Sequence, residues 1–386
     1  MADTDSFVTR RAREIKESGP GVPLDYEELK REAANHLSSN AYDYVAGGAG
    51  TEGTVSANQV AFDRYRIVPR VFRDIDERDL STTLFGADLA APLGIAPVGG
   101  HGVFDPEGEL ASARAAAELG VPFSLSTGAS RSMEDVAEAM DEVRAGAPRF
   151  FQLYWPREWE VAASLVRRAE AADYDAVVLT LDSQLTKWRR RNLRNDYSLN
   201  DDAPNRLLTS DPVVQRLADE RGVDVETFAN SDALDKDRTL TWEDLAWLRE
   251  QTDLPVVLKG VVHPDDARLA VEHGADGVVV STHGGRQIDG ARAAVAALPE
   301  VAAAVDGEIP VLLDSGVRTG ADAFKALALG ADAVLVGRPF VFGLAIAGQR
   351  GVYEVLANVL AELDSVLGLS GHDDVAAVGR EALVEE

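Results

Sequence analysis

Residues 281–290, STHGGRQIDG, place a histidine and an arginine directly after the apolar run GVVV. His283 and Arg286 stand three residues apart, and the two glycines between them give the backbone room to bend. A neutral imidazole can accept a proton from a substrate, and a guanidinium can bind a carboxylate through two parallel hydrogen bonds. This spacing therefore predicts removal of a proton from a small anionic substrate.

Two further charged residues end apolar runs of the same kind. Asp314 ends PVLLD, and we expect its carboxylate to hydrogen-bond the imidazole of His283 and to stabilise its charged form. Lys259 ends PVVLK, where a buried ammonium group requires an anionic partner. An acidic neighbour could supply that partner, but a cofactor contact is the interpretation that we favour.

Two loops that contain glycine and arginine predict a phosphate site. Their sequences are DSGVRTGADAFKALALG (314–330) and VGRP (336–339). Glycines allow backbone N–H groups to approach an oxyanion, and a helix beginning near Ala321 would direct its positive end there. A phosphate site beside a buried lysine indicates flavin mononucleotide (FMN), with Lys259 stabilising negative charge on the reduced ring. The glycines and arginines concerned are Gly316, Gly320, Arg318 and Arg338.

The elements that must position these residues repeat one pattern after residue 90. A short apolar run ends at a polar or glycine-rich patch, and an alanine-rich segment follows. Unbroken apolar runs are typical of parallel strands covered on both faces. Eight such units predict an α/β fold of the TIM (β/α)8 barrel type, whose catalytic face lies at the carboxyl ends of the strands. The runs are PLGIAP (92–97), PFSLS (122–126), RFFQLY (149–154), AVVLTLD (176–182), PVVLKG (255–260), GVVVSTH (277–283), PVLLDSG (310–316) and AVLVGRP (333–339).

An open, doubly wound sheet is the alternative fold. It requires a GxGxxG fingerprint after an early strand, and APVGGHGVFDPEG does not place its glycines in that register. We therefore expect a single domain over residues 1–386. Its parts are an N-terminal extension (1–90), a barrel (91–345) with a long loop after its fourth strand (183–254), and C-terminal helices (346–386).

Two segments depart from the repeat. The N-terminal extension is predicted to contain a helix over 24–37 and a β pair, 64–72 with 81–89, that closes the floor of the barrel. The loop after the fourth strand is far longer than an ordinary βα connection. We expect its polar, turn-rich part, 195–212, to form a lid over the site, with disorder as the alternative.

The composition limits the possible partners. The 386 residues carry 65 acidic and 38 basic side chains, a net charge of −27 that repels nucleic acid and anionic membranes. There is no apolar run of membrane-spanning length, no apparent secretory signal and no cysteine, so we expect a cytoplasmic protein without disulfides, and no metal. Only six residues are lysine. Because the acidic excess is so large, we interpret it as adaptation to high salt; an ordinary acidic protein is the alternative.

The motifs of this chain and their order resemble those of one enzyme family, over about residues 24–372. The chain is similar to the FMN-dependent L-2-hydroxy-acid oxidases and dehydrogenases, which include glycolate oxidase, lactate oxidase, lactate 2-monooxygenase and the flavin domain of flavocytochrome b2. The motifs that carry the resemblance are YDYVAGGAGTEGTVSANQVAFDRYRIVPR, IAPVG, DPEGELASARAA, FQLYWP, LKGVVHPDDARLA, STHGGRQIDG and DSGVRTGADAFKALALGADAVLVGRP.

The resemblance implies a role for each matching residue. It implies that His283 is the base and that Arg286 and Tyr44 hold the substrate carboxylate. Tyr154 would face the substrate oxygen, and Arg189 would approach the substrate from the long loop. The residues that would contact FMN are Pro97, Val98, Gly99, Ser126, Gln152, Thr180, Lys259, Asp314, Ser315, Gly316, Arg318, Gly337 and Arg338.

The resemblance also implies a reaction and its partners. The reaction is oxidation of an L-2-hydroxy acid to the 2-oxo acid, with oxygen or a quinone as electron acceptor, in a homo-oligomer that is a tetramer in many relatives. FQLYWP, TLDS and DSGVR resemble the lactate 2-monooxygenase branch, so L-lactate is the expected substrate. Three residues depart from the family pattern: Gly128 replaces a bulky aromatic, Thr282 a frequent asparagine and Ser315 a frequent glycine.

Three other functions are compatible with parts of this sequence pattern. A type 2 isopentenyl-diphosphate isomerase has a related FMN barrel but lacks the clustered His283–Arg286 site. A phosphate-binding barrel without flavin, and a scaffold protein without any cofactor, are further alternatives. The polar residues at nearly every predicted strand end argue against the scaffold.

Overall fold

The computed structural model describes residues 6–197 and 202–386. Eight parallel strands close into a barrel in the order β10-β11-β4-β5-β6-β7-β8-β9. The predicted TIM barrel is therefore confirmed, and each of the eight apolar runs overlaps one of its strands. The strands of the described chain are β1 Tyr65–Ile67, β2 Thr82–Leu84, β3 Ala87–Leu89, β4 Leu93–Val98, β5 Phe123–Ser126, β6 Arg149–Leu153, β7 Ala176–Thr180, β8 Val256–Val261, β9 Gly277–Val280, β10 Val311–Leu313, β11 Ala333–Val336 and β12 Leu383–Glu385.

Helices cover the outer face of the barrel strands, and apolar side chains fill the inside of the barrel, so both faces of the strands are buried. Strands β5, β6, β7 and β9 are buried at every residue, which explains why their sequences are apolar without alternation. The helices around the barrel are Glu109–Leu119, Met133–Val143, Trp159–Ala171, Asp244–Arg249, Pro264–Glu272, Ala294–Val305, Gly320–Ala328 and Arg338–Leu369.

The N-terminal extension contains the predicted helix but not the predicted β pair. Helix Tyr26–His36 lies within the expected range and is preceded by helix Phe7–Ser18 and followed by Ser39–Ala46 and Gly53–Val60. Strand β1 pairs with the C-terminal strand β12, while β2 and β3 form their own hairpin. The predicted pairing of 64–72 with 81–89 is therefore wrong, because each segment finds another partner.

The β2–β3 hairpin packs against the amino-terminal end of the barrel. The Phe85 ring at its turn lies 5.7 Å from the ring of Phe150, the second residue of β6. A side chain at Gly277, the first residue of β9, would lie only 2.9 Å from the Phe85 ring. Leu84 and Leu89 join the apolar cluster inside the barrel. The hairpin thus covers the barrel floor, opposite the strand ends that carry the polar residues.

A long C-terminal helix passes the predicted end of the barrel. Helix Arg338–Leu369 contains the predicted boundary between residues 345 and 346. Its backbone leaves helical geometry at Ala347 and Gly348, so it consists of two helical parts joined by a kink. Beyond it, the described chain has two short 3-10 turns, Val375–Ala377 and Arg380–Ala382, before β12.

The long loop after β7 has secondary structure of its own. It contains helices Arg190–Asn195, Arg206–Thr209, Pro212–Arg221, Val225–Ala229 and Asp244–Arg249. Leu207, Val214 and Phe228 are buried, so these helices pack onto the body of the protein. Residues 198–201 of the predicted lid lie outside the described residues. Within the described chain, no helix is both long and apolar enough to cross a membrane.

Candidate active site

A cavity opens at the carboxyl ends of the barrel strands. It contains about 770 Å³ of empty space, including solvent at its mouth, which is in the range of small-molecule sites. Most residues predicted to act on substrate or cofactor line it, although they come from distant parts of the sequence. The predicted residues in its lining are Tyr44, Pro97, Val98, Gly99, Tyr154, Lys259, His283, Arg286, Asp314, Ser315, Gly316, Arg318, Gly337 and Arg338.

The backbone after β9 turns sharply to present His283. His283, Gly284 and Gly285 all have positive φ angles, at 54°, 65° and 73°. A side chain at Gly285 would lie 2.6 Å from the backbone nitrogen of Val55, so glycine is required there by contact as well as by conformation. The unfavourable backbone of His283 is the kind of local strain found at functional sites.

Asp182, and not Asp314, holds the imidazole of His283. Nδ1 of His283 lies 2.9 Å from Oδ1 of Asp182, which follows β7. The predicted contact between His283 and Asp314 is wrong, because the Asp314 carboxylate is paired with Lys259 instead, at 2.9 Å. A proton on Nδ1 donates to Asp182, which leaves the lone pair of Nε2 available as a base.

Burial favours the neutral form of this histidine. Desolvation is the main reason that the pKa of His283 is lowered, and the charges of Lys259 and Arg189 act in the same direction. The Asp182 carboxylate opposes this shift in the pKa of His283. The pKa of Asp182 is itself lowered, since His283 and Lys259 outweigh its desolvation. The site thus combines a neutral base with an ionised partner for the imidazolium ion.

Lys259 is a buried cation with a defined set of partners. Its ammonium group contacts the Asp314 carboxylate and donates to the hydroxyl of Ser281 at 2.8 Å. Burial by itself would lower the pKa of Lys259, but Asp314 and Asp182 raise it above its usual range. Lys259 therefore stays charged at the wall of the cavity, as a cation facing a flavin requires.

The hydroxyl of Ser315 fixes the turn that carries His283. Its oxygen accepts from the backbone nitrogens of Thr282 at 3.2 Å and Gly284 at 2.9 Å, and it donates to Asp314 Oδ1 at 2.6 Å. A glycine at this position, frequent in the resembled family, cannot make these bonds. Ser315 has a φ of 71°, so the bonds accompany a conformation that a non-glycine residue rarely adopts.

The guanidinium groups of Arg286, Arg318 and Arg338 line the cavity and give it a positive character. Arg286 donates to the carbonyls of Tyr44 and Gly47, and Arg338 donates to the Gly47 carbonyl at 2.8 Å. Among the residues that the structure describes, neither guanidinium forms an ion pair with a carboxylate. Burial, followed by repulsion from Arg189, lowers the pKa of Arg286 to about 9. The pKa of Arg338 is lowered to about 10, also mainly by burial. Such crowding of cations favours an anionic ligand.

Two tyrosines stand beside these cations. The guanidinium of Arg286 lies over the Tyr44 ring, 4.7 Å from its centroid. Burial is the main reason that the pKa of Tyr154 is raised, with Tyr44 and Asp182 adding to the effect. Tyr154 therefore keeps its proton at neutral pH and can donate a hydrogen bond.

Buried polar atoms at the strand ends fit a flavin ring. Gln152 Nε2 and Thr180 Oγ1 are buried and have no hydrogen-bond partner within the described chain. Gln152 is held in place through Oε1, which accepts from the Ser126 hydroxyl at 3.1 Å. Donors of this kind are costly to bury unless a ligand satisfies them. The FMN ring carries acceptor atoms along one edge, and these atoms could accept hydrogen bonds from Gln152, Thr180 and the nearby Lys259.

The helix predicted to direct its positive end at a phosphate is capped by the protein itself. The helix begins at Gly320, as expected, but the backbone nitrogens of Arg318 and Thr319 donate to the Asp322 carboxylate. The nitrogen of Gly320 donates to Glu362 at 2.8 Å. The backbone donors at this helix end are thus not available to a phosphate, and the glycine-containing turns around Gly316 and Gly337 remain the predicted phosphate site.

Sequence reasoning did not select three charged residues near this cavity. Asp182 follows β7 within the motif TLDS, and its position at a strand end was the signal that could have identified it. Lys187 and Lys236 belong to the long loop and lie beside Tyr154 and Arg189. Nothing in their local sequence indicates a site, since their proximity depends on the path of that loop.

The comparison with known proteins agrees with this geometry. The sequence profile of the FMN-dependent dehydrogenase family matches residues 33–385. The chain belongs to this family. This FMN-dependent dehydrogenase homologue is 41% identical over 374 residues to an L-lactate oxidase of Lysinibacillus sphaericus, covering 94% of this chain and 93% of the relative. It is 42% identical over 353 residues to a 4-hydroxymandelate oxidase of Amycolatopsis orientalis, covering 92% and 95%.

Solved structures lead to the same family. A mandelate oxidase with benzoyl-formic acid superimposes with a TM-score of 0.82 at 39% identity, covering 95% of this chain and 99% of that one. The protein is thus an FMN-dependent oxidoreductase that acts on α-hydroxy acids. The isopentenyl-diphosphate isomerase, the flavin-free barrel and the scaffold have no support from these relatives.

Proposed function

We propose that the protein oxidises an L-2-hydroxy acid to the 2-oxo acid, with L-lactate as the simplest candidate, and that His283 is the base. The observation that carries this proposal is the His283–Asp182 pair beside unpaired cations in one cavity. Two relatives are named L-lactate oxidase, from Lysinibacillus sphaericus and a Nostoc species, which supports lactate as the first compound to test.

The carboxylate of the substrate would bind to Arg286. Its guanidinium has donors beyond those used by the Tyr44 and Gly47 carbonyls, and it is rigidly held by them. Arg189, whose Nε donates to the Arg286 carbonyl at 3.2 Å, adds a second positive charge from the long loop. The Tyr44 hydroxyl would complete the carboxylate site. Fixed orientation of this group brings C2 of the substrate to the base.

The proton of the substrate would pass to Nε2 of His283. Asp182 stabilises the imidazolium ion that forms, and Tyr154 donates a hydrogen bond to the C2 oxygen. Oxidation of the CH–OH group removes two hydrogens: one leaves as the proton on His283, and FMN, when bound, would supply the acceptor for the other hydrogen and for the electron pair of the C2–H bond. Lys259 would hold negative charge at the flavin, with Asp314 keeping that lysine charged and in place rather than touching the imidazole.

The remaining predicted residues would bind the cofactor. Pro97, Val98 and Gly99 after β4 would lie against the flavin ring, and Ser126, Gln152 and Thr180 would contact its polar edge. Ser315, Gly316, Arg318, Gly337 and Arg338 would surround the ribose and phosphate. The guanidinium of Arg338 is bonded to the carbonyls of Val45, Gly47 and Gly284, so its contribution to the phosphate is mainly through charge and its backbone.

We also propose oxygen as the electron acceptor, a homotetramer as the assembly, the cytoplasm as the location and a lid role for the long loop. Oxygen is supported by relatives that are named oxidases. Peroxide formation tests oxygen as the electron acceptor, and light scattering with the FMN-loaded protein tests the homotetramer.

Anaerobic mixing of the FMN-loaded protein with L-lactate tests the function directly. We expect the flavin absorbance to bleach, and the His283→Gln variant to bind FMN but to bleach at least about 100-fold more slowly, as expected for loss of a general base. Admission of air should restore the colour and generate peroxide. Equal bleaching rates in the two proteins would refute the role of His283.

If neither L-lactate nor other 2-hydroxy acids, such as glycolate and mandelate, reduce the bound flavin, the proposed function fails. If mandelate bleaches the flavin and lactate does not, the reaction class stands and lactate is wrong as the substrate.

A further inference from the structure

A second cavity continues outward from the first. It contains about 1020 Å³ of empty space, including open solvent, and lies between the barrel mouth and the long loop. The two cavities share part of their lining, which makes the second one an outer compartment of the same site. The shared residues are Tyr44, Gly99, Tyr154, His283 and Arg286.

The outer compartment is positively charged in a strongly acidic protein. Lys187, Arg189, Lys236 and Arg286 line it, whereas no aspartate or glutamate of the described chain does. The whole sequence has 65 acidic residues and only six lysines, and two of those lysines meet at this one wall. The local charge of this wall is therefore opposite in sign to the net charge of the chain.

Among residues 6–197 and 202–386, no carboxylate forms an ion pair with either lysine. Lys187 donates to the backbone carbonyl of Ser183 at 3.0 Å, and the ammonium of Lys236 lies 4.7 Å from the ring centroid of Tyr154. The nearest carboxylates are engaged elsewhere, Asp182 with His283 and Asp235 with Arg238 at 2.9 Å. In the described chain neither lysine forms an ion pair within 4.0 Å.

Burial and nearby positive charges make these cations costly without a ligand. Burial, followed by the charges of Lys236 and Arg189, lowers the pKa of Lys187 to about 7. Burial also lowers the pKa of Lys236. An anion placed beside both amines would relieve the repulsion and keep both protonated.

The space beside this wall is not occupied by a side chain at position 128. Gly128 lines the outer compartment, and its carbonyl accepts from Gly100 at 2.9 Å beside the barrel mouth. A side chain longer than the methyl group of lactate can therefore extend from the reacting carbon toward the two lysines.

We infer that the preferred substrate is an L-2-hydroxy acid that carries a second carboxylate on its side chain. This inference rests on the proposed function of the inner cavity. The first carboxylate binds at Arg286, and the second lies in the outer compartment between Lys187 and Lys236. Tyr154 separates the two anions, because it contacts both compartments and stacks against Lys236.

Pairs of substrates of equal length test this inference. The FMN-loaded enzyme is mixed anaerobically with L-malate, L-2-hydroxyglutarate or L-2-hydroxyadipate, and with the matching monoacids L-2-hydroxybutyrate, L-2-hydroxypentanoate and L-2-hydroxyhexanoate. The apparent Kd for flavin reduction is measured for each. We expect at least one diacid to bind roughly tenfold more tightly than its monoacid, the effect of a charge-assisted hydrogen bond.

Removal of one lysine charge should strongly weaken binding of the diacid and should change binding of the monoacid much less. We expect Lys236→Gln to raise the apparent Kd of that diacid roughly five- to tenfold, with a much smaller change for the monoacid of equal length. Lys187→Gln should act in the same direction and serves as the second variant if the first does not fold. Lys16→Gln removes an exposed lysine of helix Phe7–Ser18 and is the matched control.

The outcomes separate the inference from the function on which it rests. If lactate and the monoacids reduce the flavin but every diacid binds no better than its monoacid, the inference is wrong and the proposed function stands. If no 2-hydroxy acid reduces the flavin, the proposed function itself fails. A diacid preference that persists unchanged in both lysine variants also overturns the assignment of the outer compartment.

Discussion

Asp182 determines what His283 can do. Its carboxylate accepts from Nδ1 and thereby selects the tautomer whose Nε2 is a base, while its charge compensates the imidazolium ion formed during the reaction. Burial keeps the imidazole neutral at pH 7, because it lowers the pKa of His283 below the usual value of 6.5. Flavin reduction should therefore be fully active at neutral pH and decrease only in the acid range.

We predict that Asp182→Asn slows flavin reduction roughly 100-fold or more and shifts its acid limb to lower pH. The carboxylate raises the pKa of His283, so its removal lowers that pKa further. The decrease in rate below neutrality should then begin at a more acidic pH than in the unmodified enzyme. Stopped-flow absorbance between about pH 5 and 8 measures both effects.

Asp63→Asn, a change at an exposed aspartate of the N-terminal extension, is the control and should leave the rate and its pH profile unchanged. An Asp182→Asn enzyme with a normal rate and an unshifted acid limb would contradict the assignment.

For single residues, the sequence predicted which side chains lie together at the site, but it did not predict every contact between them. His283, Arg286, Tyr44, Tyr154 and Lys259 do line one cavity, as the strand-end rule implies. The partner of the imidazole was predicted wrongly because Asp314 follows β10, the direct neighbour of β9, whereas Asp182 follows β7. At the mouth of a closed barrel, the direction in which each side chain points decides which carboxylate reaches the imidazole. The spacing of residues in the sequence does not give that direction.

The loop after β9 also fastens the N-terminal extension to the barrel. The Asp289 carboxylate accepts from the backbone nitrogens of Thr51, Gly53 and Thr54 at the start of helix Gly53–Val60. These bonds lower the pKa of Asp289 to about 2. Because the folded pKa is depressed, the contribution to stability is present above the unfolded value near 3.9 and is lost as the pH falls toward 2.

We predict that Gly285→Ala destabilises the protein by several kcal/mol and impairs FMN binding. A methyl group there would meet the backbone of Val55 at 2.6 Å, and the φ of 73° is unfavourable for alanine. Displacement of this backbone would move the adjacent His283 turn. Denaturant midpoints and titration with FMN measure the two effects.

Gly290→Ala is a matched control for this prediction. Its φ of 82° is equally unfavourable for alanine, but no heavy atom lies within 4 Å of the added methyl group. We therefore expect a loss of only about 1 kcal/mol from the backbone conformation. Equal losses in the two variants would show that the contact with Val55 is unimportant.

At the scale of elements, long periodic segments were predicted better than short ones. Eight unbroken apolar runs and the helix at 24–37 need no knowledge of distant contacts. Strands β1 and β2 have only three residues each, and their local pattern allows several partners. The partner of β1 comes from the opposite end of the chain, which no local pattern can indicate.

The surface of the whole molecule is dominated by negative charge. The net charge of −27 is spread over a chain of 386 residues, so the folded state contains many unfavourable carboxylate–carboxylate interactions at low salt. Dissolved ions screen these interactions, with a Debye length that falls from about 10 Å at 0.1 M to about 3 Å at 1 M. Adaptation to high salt thus remains a prediction with a direct thermal test.

We predict that the melting temperature of the FMN-loaded protein rises by roughly five degrees or more between 0.1 M and 2 M KCl. Screening relieves repulsion in the compact state more than in the expanded unfolded chain. NaCl at the same concentrations is the control and should produce a similar rise if the effect is screening. A melting temperature that stays constant or falls would favour the interpretation of an ordinary acidic protein.

The pairing of β1 with β12 has a consequence for biosynthesis. The strand at Tyr65–Ile67 leaves the ribosome before any barrel strand, yet its partner Leu383–Glu385 follows all eight barrel strands in the sequence. The edge of β1 therefore lacks this partner until residues 383–385 have been translated. A nascent chain stalled before residue 383 would contain every barrel strand while the pairing of β1 with β12 has not yet formed.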